Sequence, residues 1–419
     1  MRLFSHIARK LWGREQQHRV ISAPVVKIAT GSIAVGMAVM ILTVTIVTGF
    51  KNEIRKRAIG FAGHIIVGAY TNNNSYEQEP IPINAGFRKK LSENQEIGHI
   101  QPFATKNAII KTAYENQGIV LKGVDKDYKW AFISQYLLEG SVPNYADSSS
   151  GQMILVSNTI ASRLGIKTGD KLLTYFVGKK KSADSSQAGG YEQRVRKFEV
   201  CGIYQTGFAD VDDHIVFAYL GQIQRLNYWN SNEAGGFEIE LNDFSKLDAM
   251  TGWVNDEIGQ GLEARSIKDI YPTLFSWLDL LDSNAEIIIV LMIAVAVINM
   301  ISALLILILE RSNTIGVLKA LGADNALVQR VFLFQSARIL GRGLLIGNLV
   351  GLTLAGVQLA FKLVSLNPTT YYVSFVPVQF HVTGLLAINF LTVLACLVMM
   401  LLPVLVISKI TPSKTLRFK

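Results

Sequence analysis

Cysteine is almost absent: Cys201 and Cys396 are the two in 419 residues. Two cannot build a disulfide framework, and Cys396 lies inside an apolar run, so no metal pattern can be assembled from them. The six histidines are scattered without ligand spacing, which argues against a metal site. Charge is scarce too, at 17% of residues against 50% hydrophobic, with a mean hydropathy of +0.30. That is too apolar for a soluble enzyme and too polar for a chain lying wholly in lipid. G-x-S-x-G, H-E-x-x-H and C-x-x-C motifs are missing. So is G-x-x-x-x-G-K-[ST], and the chain is therefore expected to bind neither a cofactor nor, in P-loop fashion, ATP.

What is present is a set of long apolar runs around a more polar middle, the pattern of a few membrane helices plus a sizeable water-exposed domain. Ile28–Phe50 carries no charge; as helix it would extend about 34 Å, enough to cross a bilayer and too long for a cleaved signal sequence. Ile287–Leu309, Gly343–Phe361 and a stretch within Val382–Ser408, with Pro403 near its end, supply three further spans. Small residues offer close helix packing, Ser32 and Gly36 in the first span and Gly343, Gly347 and Gly351 in the third, with Gly356 further on. Asn299, Asn348 and Asn389 place one amide in each of the last three spans, an arrangement that suits hydrogen bonding between helices better than a transport path. Before the first span, Leu3, Phe4, Ile7, Ala8, Leu11 and Trp12 share a helical face, with basic residues mostly elsewhere. This reads as an interfacial amphipathic helix, although a plain basic flank would orient the chain equally well.

Between about residues 51 and 284 hydrophobicity falls and short strand-like runs recur, at His64–Tyr70, Asn107–Tyr114, Gly118–Val124, Met153–Val156, Lys171–Val177, Phe198–Tyr204, His214–Phe217 and Phe237–Leu241. Helical candidates lie between them without a repeating unit, so an α+β domain is expected. Asp210, Asp212, Asp213 and His214 form its one dense polar cluster. Its spacing lacks the Gly and Glu of a calcium loop, and a solvated turn is the better reading. Gly178–Arg196, with Lys179, Lys180, Lys181, Arg194 and Arg196, reads as a long basic hairpin tip. Such a tip is either decoration or a steering surface for an acidic partner. Nucleic acid is not expected, since aromatic interleaving is absent.

Lys and Arg in short segments set the topology. Arg2, Arg9, Lys10, Arg14, Arg19 and Lys27 precede the first span, Arg311, Lys319, Arg330, Arg338 and Arg342 follow the second, and Lys409, Lys414, Arg417 and Lys419 end the chain. Only Lys362 falls between spans three and four. Four membrane-spanning helices with both termini inside and the large domain outside satisfy this. The layout is an interfacial helix over 1–24, spans over 25–50, 285–309, 343–361 and 382–408, and an extracytoplasmic α+β domain over 51–284. A cytoplasmic segment over 310–342, a short periplasmic loop over 362–381 and a cytoplasmic tail over 409–419 complete it.

The segment from Glu310 to Gln335 organises the rest. Ile315, Leu318 and Leu321, then Leu327, Val328 and Val331, predict two short helices broken at Gly322-Ala323-Asp324. Such a piece either docks into a groove on another protein or lies on the lipid. Its wording, E-R-x-x-x-I-G-x-L-K-A-L-G-A, resembles the coupling segment of FtsX-like permeases. The first-span exit Thr48–Arg55 is similar to that of lipoprotein-releasing (LolC/LolE-like) permeases, within the FtsX-like, MacB-type ABC transporter permease family. So are Gly202–Gly207 through Phe217, Ala218, Leu220 and Gln224-Arg225-Leu226, and Pro412–Arg417 at the tail.

The resemblance implies a non-catalytic permease in the bacterial inner membrane, paired with a second permease chain, the same or a paralogue. Two separate ATPase subunits would bind ATP and push on Glu310, Arg311, Ile315, Gly316, Leu318, Lys319, Leu321 and Gly322. It further implies a lipoprotein substrate taken from among membrane lipids, and a periplasmic carrier. Residues 178–196 occupy the position at which one lipoprotein-releasing paralogue carries a carrier-gripping hook; here the stretch is longer, richer in lysine and without proline. Two other readings remain: an efflux or mechanotransmission permease of the macrolide-exporter type, and an FtsX-like regulator of a cell-wall hydrolase. The lack of a fused ATPase domain speaks against the former, and the size of the outer domain against the latter.

Overall fold

The computed structural model describes residues 22–71, 77–83, 86–112, 115–146, 148–179 and 191–406. The expected N-terminal interfacial helix up to residue 21, Lys180 and Lys181, and the tail from residue 407 lie outside them. The chain forms two compact units. Among the described residues, one holds 22–52, Trp277–Ser365 and 375–406, and the other Glu53–Ser276 together with Leu366–Ser374.

Among the described residues, four helices are long and apolar enough to cross a membrane. Span one is helical over Ser22–Ala62, span two over Pro272–Glu310, span three over Asn325–Phe361 and span four over Val382–Val406. Three of them outrun their apolar sequences. Hydropathy marks where lipid ends, whereas nothing in Lys51–Ala62 or Pro272–Glu286 breaks a helix, so the hydrogen-bond ladder simply continues. For the same reason the second half of the segment after span two is not a separate short helix but the first turns of span three. Span one is the enclosed member of the bundle: 56% of its most apolar window is buried, against 28%, 28% and 22% for spans two to four. Its Ile33, Met37, Met40 and Ile41 fill the centre, with Met300, Leu304 and Leu307 of span two, Ile339 and Leu340 of span three, and Ile388 and Met400 of span four around them.

Among the described residues of the other unit, twelve strands occur in chain order: β1 Ile65–Ala69, β2 Ile81–Pro82, β3 Ile97–Lys111, β4 Asn116–Val124, β5 Leu137–Gly140 and β6 Met153–Ser157. They continue with β7 Lys171–Lys179, β8 Tyr191–Tyr204, β9 Ile215–Tyr219, β10 Glu233–Ala234, β11 Gly236–Leu241 and β12 Leu262–Ser266. The 15-residue β3 is the hinge of the architecture. Its first half pairs with β11 and its second half with β7, while β4 runs along its other side. Following the pairs β3–β4–β9–β6–β8–β7 returns to β3, so six strands close into a barrel. Alternation along each strand sends Ile119, Leu121, Ile154, Val156, Leu172, Phe176, Phe198, Val200 and Val216 inward, where they form one buried cluster. β12 and β1 extend the sheet from β11 at its open edge.

Candidate functional site

Span two ends at Glu310, and a short helix, Ser312–Ala320, follows. It stops because Gly322 adopts φ +92°, a left-handed conformation that costs glycine nothing. The Gly322 N–H then bonds the Lys319 carbonyl at 3.0 Å and the Ala323 N–H bonds the Leu318 carbonyl at 2.9 Å. These two reversed bonds satisfy the carbonyls that the helix end would otherwise orphan. Ile315 and Gly316 are buried, Ile315 within the cluster that holds Leu307, Ile308, Val328 and Phe332. Leu318 and Lys319 are half-buried, as is Arg311, while Glu310 and Gly322 are exposed. Leu321 is 80% exposed and Val317 46%. Of the eight, Ile315 and Gly316 form a root that fixes the short helix to the bundle, while Leu321, joined by Val317 from outside that set, forms an apolar tip turned outward.

The small-residue stripe of span three lies against span one. A Cβ on Gly343 would stand 2.7 Å from Ile33, one on Gly347 2.6 Å from the Ala34 carbonyl oxygen, and one on Gly351 3.0 Å from Ile41. Ala355 continues the buried face at the same spacing, whereas Gly356 lies off it, where a Cβ would meet nothing within 4 Å. On span one itself, Gly36 faces the Met292 carbonyl of span two at 4.0 Å, and the half-buried Ser32 donates to the Ala29 carbonyl at 3.0 Å. The first-span exit also acquires a physical reason. A Cβ on Gly49 would lie 2.6 Å from the Pro377 carbonyl oxygen, and the Gln379 N–H bonds the Thr45 carbonyl at 3.0 Å. Lys51 pairs with Asp282 of span two, and Phe50 meets Trp277 edge-on at 5.9 Å. Spans one and two are thus tied at this end by a charge pair and an aromatic pair, with the 377–379 turn wedged against the glycine.

At the outer hairpin the strands reach further than the sequence suggests, to Lys179 on β7 and back from Tyr191 on β8, with those two residues paired in register. Arg194 is committed at the hairpin's base. Its guanidinium pairs with Glu192, donates to the Leu226 carbonyl and lies 4.1 Å over the Tyr228 ring, whose hydroxyl donates to Glu192 at 3.0 Å. Arg196 is half-buried and donates to the Val195 carbonyl at 3.1 Å. The two arginines are thus built into the hairpin's footing.

Two polar features of this unit, Lys122 and Arg57, escaped the sequence reading, and a third, Asp212, differs from it. Lys122, 6% exposed on β4, donates to the Phe61 carbonyl in the last turn of the span-one helix and pairs with the equally buried Glu238 at 2.5 Å. The signal was a lone lysine inside the apolar run Ile119–Val124. Arg57 donates to the Thr206 carbonyl and pairs with Glu53, so the helix's last turns, residues 53–62, are fixed within their own unit by two cations. Asp212 is buried, not part of a solvated turn. Its carboxylate accepts from the Thr206 hydroxyl at 2.7 Å, the Gly207 N–H at 2.8 Å and the Thr206 N–H at 3.1 Å. Burial nevertheless pushes its pKa up, with the hydrogen bonds opposing. Burial likewise pushes the Cys201 thiol up to about 12, which removes it as a nucleophile. Among the described residues no group of His, Cys, Asp or Glu is placed to hold a metal ion.

Two family descriptions match the chain. The MacB-like periplasmic core domain matches residues 28–256, more than half of the sequence, and the FtsX-like permease C-terminal region matches residues 286–412. The chain belongs to the FtsX/MacB-type permease family: four membrane-spanning helices, one before and three after a large periplasmic α+β domain, in a non-catalytic transport subunit. Relatives match over nearly their whole length. The lipoprotein-releasing system transmembrane protein LolE of Haemophilus influenzae is 24% identical over 96% of both chains. The corresponding LolC proteins are 23% identical over 94% of both chains in Neisseria meningitidis serogroup B, and 22% over 92% in Xylella fastidiosa strain 9a5c.

Proposed function

We propose that this chain is the transmembrane permease subunit of an ABC-type complex that extracts lipoproteins from the inner membrane and passes them to a periplasmic carrier. The observation that carries the reading is the near end-to-end match to LolC and LolE proteins of several species, through the spans and the periplasmic domain alike. The geometry gives it a mechanism. Two permease chains would form the membrane part, with their termini and the segment after span two in the cytoplasm. Closure of two ATPase subunits on ATP would press on the apolar tip at Val317 and Leu321. The buried root at Ile315 would carry that stroke into spans two and three. Exposing acyl chains to water costs about 0.8 kcal/mol per methylene, so release needs both a motor and a carrier.

Purification of the full-length chain in mild detergent tests the reading: an ATPase subunit and acylated lipoproteins should accompany it. A bound ATPase with soluble or no cargo would favour an efflux permease instead, the alternative raised by the MacB-like domain. The hairpin has its own test. Replacing residues 180–190 with a tight glycine turn should leave insertion and ATP hydrolysis intact while lipoprotein transfer to the carrier fails. Normal transfer would mean that the carrier docks elsewhere.

A further inference from the structure

One cavity of the periplasmic domain is lined by polar groups that the fold itself leaves unmet. It measures about 380 Å³ and lies between residues 56–64, the β3 residues His99 and Gln101, the 128–135 segment and the β11 residues Glu238 and Glu240. All of these belong to one compact unit. His64 and Tyr128 line the cavity and are only 7% and 6% exposed. His64 Nδ1 accepts the Leu241 N–H at 3.1 Å, so the neutral ring carries its proton on Nε2. Among the described residues no hydrogen bond reaches that Nε2–H or the Tyr128 hydroxyl. Neither is sealed in as the Thr174 hydroxyl is, and the open space beside both is this cavity. Other buried polar groups of the domain are satisfied, Lys122 by Glu238 and Asp212 by Thr206 and Gly207. A buried donor left unmet is costly, so two of them on one cavity point to an occupant that accepts from both.

The rest of the lining narrows the chemistry of that occupant. Acceptors stand beside the donors. His99 Nε2 lies 3.1 Å from the Asp127 carbonyl and so carries the proton, which leaves Nδ1 to accept. Gln135 donates to the Ala131 carbonyl at 3.1 Å, and its amide oxygen remains as a second acceptor. The carboxylates of the wall are charge-balanced, Glu238 by Lys122 and Glu240 by Lys129. A ligand that only accepts, such as phosphate, would set its charge against Glu238 and Glu240. One that only donates, such as an ammonium, would face Lys56 and Lys129. Hydroxyl groups do both and suit a wall of mixed donors and acceptors. Ile59 and Phe132 add apolar lining of the kind on which the C–H faces of a sugar ring pack. The volume is at the small end of ligand sites, about 300–1,000 Å³, and suits a mono- or disaccharide better than a stretch of polypeptide.

We propose that this cavity binds a small neutral saccharide, whose hydroxyls accept from His64 Nε2 and Tyr128 and donate to His99 Nδ1 and Gln135. The site is independent of the transport reading, and its test needs neither ATPase nor lipoprotein.

The test uses the full-length chain in lauryldimethylamine oxide, a detergent whose headgroup is not a sugar and cannot compete. Saturation-transfer NMR with maltose and with diacetylchitobiose should show saturable binding of at least one of them, undiminished by inorganic phosphate. Tyr128→Phe removes only the hydroxyl, which has no protein partner, so the unfolding midpoint should hold or rise while the sugar binds about ten-fold more weakly. Gln135→Leu, on the exposed side of a short helix, should weaken binding similarly and gives a second variant that does not disturb the core. Binding of neither sugar would leave water as the occupant and overturn the site. Displacement of the sugar by phosphate or by tetraglycine would overturn the ligand class, and parent-like binding by both variants would place any sugar elsewhere. Loss of this site leaves the transport reading standing, and sugar binding by a chain that carries no lipoproteins would fail that reading and keep the site.

Discussion

His64 shows how a single residue can tie the periplasmic domain's stability to pH. Its Nδ1 accepts the Leu241 N–H at 3.1 Å, so the ring is required there as a neutral acceptor. Burial lowers its pKa to about 4, with Glu240 raising it only in part. In an unfolded chain the same imidazole titrates near 6.5. The folded state therefore binds fewer protons between those values. The stabilisation is complete above about pH 6.5 and is lost as pH falls through about 4. Its size is on the order of 3 kcal/mol. Thermal unfolding of the purified chain across that window should show a falling midpoint. His64→Gln, whose carbonyl can still accept from Leu241, should show a shallower fall. An unchanged slope in that variant would assign the acid sensitivity to another group.

Helix packing in the bundle is decided at the level of elements, by which glycines touch something. Gly347→Ala would drive a Cβ against the Ala34 carbonyl and Met37, and backbone cannot swing aside as a side-chain tip can. The cost expected is about 1–3 kcal/mol. Gly356→Ala meets open space and gains a better helix former, so it should be neutral or stabilising by up to about 1 kcal/mol. Unfolding midpoints in detergent compare the two, and equal losses would mean that span three does not seat on span one through this stripe. The stripe itself was legible, because four-residue spacing of glycines is a local pattern. So was the break at Gly322, where the sequence both ends a periodic run and offers a left-handed residue. What sequence could not give is non-local. The barrel closes through Ile109 opposite Tyr175, a pairing that no local pattern encodes. Nor does a local pattern pair Asn348 with Asn389, since only the fold brings their amides within 2.8 Å of each other.

Orientation belongs to the whole molecule, and charge asymmetry is the force that sets it. Arg311, Lys319, Arg330, Arg338 and Arg342 crowd the connection between spans two and three, whereas the 362–381 connection holds Lys362 alone. Short basic segments stay on the cytoplasmic side, while long domains cross largely regardless of their own lysines. On the proposed function, the Val317–Leu321 tip is expected on the cytoplasmic side and the MacB-like core on the periplasmic side. Two exposed positions distinguish the sides, Asn116 at the start of β4 and Asn325 at the start of the span-three helix. With Cys201 and Cys396 replaced, Asn116→Cys should react with a membrane-impermeant maleimide in intact spheroplasts. Asn325→Cys should react only after the membrane is opened. A lipid-buried thiol would stay unlabelled under both conditions, so labelling of Asn325→Cys on lysis separates sidedness from burial. Reaction of both variants in intact spheroplasts, or of Asn325→Cys alone, would reverse or dismantle the four-span arrangement with cytoplasmic termini.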